Sequence, residues 1–166
     1  MIKVKLIDLL FDEVSQSGII LLGEENPQPG TKVKIVPIWI GLFEAQAIMF
    51  KLQNLSFPRP LTHDLLKNCI EHLGAKIEYV AITKIENNTY YAEIHLVHNN
   101  EKIVVDSRPS DAVALAIRTD ADIYISEELM LYAGVDKEEF IKEHKEKLLL
   151  KLLELAETEE EKKTKH

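Results

Sequence analysis

Val105-Asp106-Ser107-Arg108-Pro109-Ser110-Asp111-Ala112-Val113-Ala114-Leu115-Ala116 is the stretch whose reading decides the fold. A strand-like apolar segment ends at Val105, a polar corner follows, and a run of small helix formers begins at Ala112. Pro109 has a fixed φ and no N–H, which suits a helix's first turn and no later position. Asp106 or Ser107 is placed to cap the orphan amides. Asp111 falls in the first turn, where the macrodipole favours a carboxylate. The corner gathers two carboxylates, a guanidinium and two hydroxyls. They serve equally as caps and ion pairs or as a site, and both readings stand at this point.

Upstream of the corner, Ile77–Ile85, Tyr90–Val97 and Lys102–Val105 alternate as half-buried strands do, separated by Asn-rich turns. The pattern predicts an antiparallel meander. Downstream, the helix over 109–118 leads to a short strand at Ile123–Ile125. Ser126 then caps a helix reaching Tyr132. The first half reads similarly. Strands are predicted over 2–10, 19–22 and 32–36, with turns at 15–18 and 24–30. Pro37-Ile38-Trp39-Ile40-Gly41 leads into a helix at Leu42–Leu52 that carries Glu44. After the stiff linker Phe57-Pro58-Arg59-Pro60, Thr62 is placed to cap a second helix, stopped by Gly74.

The two halves align at a shift of 67, which lays Glu44 over Asp111. The expectation is an α+β fold with a duplicated three-strand/two-helix unit and antiparallel sheet over 1–135. The duplication predicts that Glu44 and Asp111 face one groove. Asp136 and Glu139 open an amphipathic helix predicted over 136–156, whose apolar face needs either the body or a second subunit. The charged run 157–166 is expected to lack order, and the terminal His166 reads as a chain end rather than a ligand.

The chain has 166 residues and a formal net charge of −8, from 20 Lys+Arg against 28 Asp+Glu. This balance lacks the basic excess of a module that binds phosphate backbones by charge alone. No apolar run approaches the ~20 residues of a membrane span. The single cysteine, Cys69, permits no internal disulfide and reads as a small buried hydrophobe. The expected setting is cytoplasmic, with no membrane contact and a homo-oligomer, first a dimer.

Two proline corners carry the chemistry: Arg59-Pro60-Leu61-Thr62-His63-Asp64 and Asp106-Ser107-Arg108-Pro109-Ser110-Asp111. Each feeds a helix N-terminus, a natural place for an anion. Cleaving a phosphodiester needs an activated water, charge neutralisation at phosphorus and protonation of the leaving oxygen. His63, Asp64 and Asp111 are the candidate catalytic residues, with His63 moving the proton. Arg59, Arg108 and Ser110 are the candidate phosphate ligands. Glu44, Asp106 and Asp111 are candidate ligands for Mg²⁺ or Mn²⁺, which prefer oxygen donors. His63 as a packing residue, the carboxylates as helix-dipole partners and the arginines as structural ion pairs remain the competing uses.

Pro37-Ile38-Trp39-Ile40-Gly41 with Glu44, Pro58-Arg59-Pro60-Leu61-Thr62-His63-Asp64, and Asp106-Ser107-Arg108-Pro109-Ser110-Asp111 occur in order. Together they resemble the bifunctional nuclease (BFN) domain family over about residues 1–135. The resemblance implies a compact α+β fold and nuclease activity on DNA and RNA of low sequence specificity, with nucleic acid as the substrate. The alternative is a non-enzymatic small-ligand or protein-interaction domain in which both corners are scaffolding. Asp122 departs from the family pattern, where a proline is common.

Overall fold

The computed structural model describes residues 1–12 and 14–165, so His166 lies outside the described residues. In chain order the elements are β1 (Ile2–Asp12), β2 (Ser17–Glu24), β3 (Lys34–Gly41), α1 (Leu42–Leu52) and α2 (Thr62–His72). Next come β4 (Ala75–Glu86), β5 (Thr89–His98), β6 (Glu101–Ser107), α3 (Pro109–Thr119), β7 (Asp122–Ile125) and α4 (Glu127–Ala133). The chain closes with β8 (Val135–Asp136) and α5 (Lys137–Thr164). The strands make one sheet in the order β6-β5-β4-β7-β1-β2-β3-β8. The fold is α+β, as expected.

Two antiparallel meanders, β1-β2-β3 and β4-β5-β6, are joined through β7. β7 runs antiparallel to β1 and parallel to β4. The tight turns of the second meander are the two Asn-Asn pairs. Asn87, Asn88, Asn99 and Asn100 all have φ between 48° and 62°. Asn tolerates that left-handed region, and two such residues in succession match the twist of a hairpin. β7 has no counterpart between α1 and α2, so the halves do not repeat in full. Asp122 opens β7 and pairs with Lys3 of β1 at 3.0 Å.

Strand parity distributes the core. Ile20, Leu22, Val36, Ile38, Val80, Ile82 and Ile94 face α1, α3 and α4 in the main cluster. Ile19, Leu21 and Ile35 face the other way, toward Phe140 and Ile141 of α5. β2 is therefore buried on both faces, which is why Ile19-Ile20-Leu21-Leu22 is a continuous apolar run. α3 crosses the helix-side face with Ala112 through Ala116 no more than 1% exposed. Small side chains let it approach the sheet while α1 and α2 flank it.

Several local expectations are corrected. β3 continues through Pro37, which pairs with Leu21. β8 pairs only with Lys34 and Ile35, so at Pro37 the other edge of β3 needs no N–H. Neither Asp106 nor Ser107 caps α3: its cap position is Arg108, without a side-chain cap bond. Likewise Leu61, not Thr62, precedes α2, and the Asp64 carboxylate reaches back to accept from the Leu61 amide at 3.1 Å. Cys69 is exposed, because α2 turns Ile70 to the core. Ser126 and Asp136 do cap their helices, accepting from the amides of Leu129 and Glu139. α5 runs on past Ala156 to Thr164, so the stretch expected to lack order is helical up to the turn at Lys165. Among the described residues no helix is long and apolar enough to cross a membrane.

Candidate active site

The sheet delivers three chain reversals to one place. β3 ends at Gly41 and α1 begins, β6 ends at Ser107 and α3 begins after Arg108, and the proline linker enters α2 at Leu61. Each helix carries an acid in its first turn: Glu44, Asp64 and Asp111. Free amides at three helix N-termini favour negative charge there.

Arg108 ties two of those turns together. Its Nε donates to Asp111 Oδ2 at 2.8 Å and an Nη donates to Glu44 Oε1 at 2.9 Å. The other Asp111 oxygen meets His63 Nε2 at 2.8 Å. Glu44, Arg108, Asp111 and His63 thus form one continuous chain from α1 through α3 to α2. Glu44 and Asp111 do meet across a shared place, with the guanidinium between them. A Cβ on Gly41 would collide with the Glu44 carboxylate, so glycine there gives the carboxylate room to reach Arg108.

Exposure within the chain is graded. The Arg108 side chain is 63% exposed, Asp111 27%, Glu44 24% and His63 14%. Arg108, Glu44 and Ser110 line a cleft of about 290 Å³ whose other walls include Trp39, Tyr90 and the Asn88-Thr89 hairpin turn. Asp111 and His63 are not among its lining residues and stand behind Arg108. The proton-moving role expected of His63 therefore has a competitor in Glu44, which faces the cleft directly.

A second arginine builds the frame. Arg118 of α3 has a side chain only 4% exposed. It donates from Nε to Asp64 Oδ1 at 2.8 Å, and to the carbonyls of Ala114 and Ala47 at 2.9 and 2.8 Å. With its other oxygen on the Leu61 amide, Asp64 is committed to holding α2 against α3. The sequence reading did not single out Arg118. Its signal is a cation seven residues after Asp111 inside an otherwise apolar helix. Trp39 and Tyr90 were also missed as cleft walls, since the hairpin turn arrives there from the other half of the sheet.

Two expected site residues stand apart. Arg59 is exposed in the linker and contributes no bond to this network. Asp106 pairs with Glu93 in the ladder, one residue beyond Val105, which pairs with core Ile94. Parity therefore sends Asp106 to the sheet face opposite the helices. Glu44, Asp106 and Asp111 are not assembled as a metal site, and no group of three such residues is placed to hold an ion among the described residues. The two carboxylates that do meet share a guanidinium, a donor arrangement that does not fit a divalent cation.

Charge pairing sets the acid behaviour. Burial pushes the Asp111 carboxyl up, but bonds from Arg108 and His63 outweigh it and hold the group below the usual 3.8. For Asp64, burial is likewise overcome by Arg118 and the Leu61 amide. In both cases the unfolded chain binds a proton more readily, so the stabilisation is complete above about 3.8 and lost as pH falls through the lower folded values. Urea unfolding should show a midpoint that drops below pH 4, and Asp64→Asn with Asp111→Asn should flatten that drop.

The bifunctional nuclease domain profile matches residues 20–138, more than half of the chain. The chain belongs to the bifunctional nuclease domain family. An uncharacterized protein of Mycobacterium tuberculosis H37Rv is 36% identical over 133 residues, covering 80% of this chain and 76% of that protein. Bifunctional nuclease 2 of Oryza sativa subsp. japonica is 28% identical over 122 residues, 68% of this chain and 38% of that protein. Bifunctional nuclease 2 of Arabidopsis thaliana is 25% identical over 104 residues, 61% and 32% respectively. The chain thus spans about a third of the plant proteins' length. All three sequence motifs lie in the part of the fold that converges on this site.

Proposed function

We propose that this bifunctional nuclease family member hydrolyses phosphodiester bonds in DNA and RNA. The observation that carries the reading is Arg108, anchored on one side by Glu44 and Asp111 and open to the cleft on the other. The names of the plant relatives support it. Arg108 and the first amides of α3 would take up the phosphate charge as the pentavalent state forms. Glu44, at the cleft, is positioned to accept the proton of the attacking water. The bond to the leaving oxygen then breaks, that oxygen takes a proton from solvent, and Glu44 returns its proton to solvent. His63 holds Asp111, and Asp111 holds the guanidinium plane, so His63 is a positioning residue in this arrangement. Nothing in this scheme reads base sequence, in keeping with low specificity.

The second reading, a non-enzymatic binding domain, is favoured by the bonding of Glu44, Arg108, Asp111 and His63 to one another and by the net charge of −8. One assay decides. Labelled single-stranded and duplex DNA and RNA are incubated with wild type and Glu44→Gln in Mg²⁺, Mn²⁺ or EDTA. Cleavage that falls about 10²–10⁴-fold in the variant supports the nuclease and its base. Equal cleavage by both proteins removes Glu44 from the chemistry and points to a contaminant. No cleavage in any arm overturns the proposal and leaves the binding domain. The EDTA arm reports whether a metal is required.

A further inference from the structure

α5 is longer than its seat on the body. Its partly covered residues recur at Phe140, Ile141, His144, Leu148 and Lys151, the spacing of one helix face. From Leu152 onward every described residue is exposed. The remaining 13 residues to Thr164 extend ~20 Å at 1.5 Å per residue. On a second face, away from the body, lie Leu149, Leu152, Leu153 and Ala156, with the three leucines 59%, 56% and 53% exposed.

The charges that continue this outward stripe identify its occupant. Glu138, Lys142 and Lys145 precede the leucines on the stripe, and Glu159 and Lys163 follow them, all exposed. We propose that the stripe is covered by α5 of a second copy of this chain, packed antiparallel. In the register that lays Leu149 beside Leu152 of the second copy, Lys142 falls opposite Glu159 and Glu138 opposite Lys163. A parallel in-register pair would put each of these charges against its own copy, which is destabilising. The sequence is complementary to itself in one direction only.

A helix pair of this length buries less than the roughly 1,600 Å² of a standard interface, so dissociation in about the micromolar range is expected. Sedimentation equilibrium on the full chain, at about 1–100 μM, tests the proposal. Wild type should be a reversible dimer, and Leu152→Lys a monomer with an unchanged circular dichroism spectrum for the body. Lys142→Glu or Glu159→Lys alone should raise Kd about tenfold, and the two together should restore it. A wild-type chain that stays monomeric overturns the proposal. So does a dimer indifferent to Leu152→Lys, which would use another surface. A double reversal that fails to recover overturns the antiparallel pairing.

Discussion

Arg118→Met lowers the stability of the chain by about 2–4 kcal/mol. The side chain is 4% exposed, and its three donors reach Asp64 on α2, Ala47 on α1 and Ala114 on α3. Methionine keeps much of the stem volume, so the loss measures the bonds rather than a cavity. Asp64 is 41% exposed and can rehydrate once its partner is gone, which keeps the cost at the low end for a broken buried pair. Asp64→Asn keeps one oxygen for the Arg118 Nε but loses the charge and the acceptor for the Leu61 amide, so about 1–2 kcal/mol is expected. Urea unfolding checks both variants: the midpoint should fall while the m-value stays constant. Cleavage measured well below the shifted midpoint should be near wild type, because Arg118 is buried and neither it nor Asp64 lines the cleft.

What the sequence made legible follows from how local each determinant is. Pro109, Ser126, Asp136 and the Asn-Asn turns act within a few residues of themselves, and the helices and hairpins they announce are all present. Pro37 misled because whether a proline is tolerated in a strand depends on its far edge, which is set by β8 almost a hundred residues later. The parallel placement of β7 beside β4 is likewise a long-range matter. In the site, the alignment of the two halves at a shift of 67 predicted that Glu44 and Asp111 would share one groove; Arg108 joins them across 64 residues, although only Glu44 lines the cleft. Asp106 was read with its neighbours because it shares their motif, although one step along a strand reverses the face. Arg118 escaped notice because its carboxylate partner lies 54 residues away, on another helix.

The same helix carries the opposite experiment at its other end. Arg108→Ala should reduce phosphodiester cleavage about 10²–10³-fold, the loss typical of removing one charge-stabilising donor from an active site. Its effect on stability should be under about 1 kcal/mol, because a side chain that is 63% exposed contributes little through screened ion pairs. Arg108→Lys should recover less than about tenfold of the activity. A planar guanidinium can hold Glu44 through one nitrogen and Asp111 through another while presenting a remaining edge to the cleft. A flexible ammonium offers no such plane. His63→Ala removes only the bond that fixes Asp111 from behind, so it should cost less than Arg108→Ala. It should act on kcat more than on KM, since orientation rather than contact is lost. Single-turnover cleavage with matched thermal unfolding separates these cases. Loss of activity at constant stability for Arg108, set against loss of stability at constant activity for Arg118, would assign one arginine to the chemistry and the other to the frame. An Arg108→Ala protein that cleaves as fast as wild type would sink that assignment and move the reaction away from this cleft.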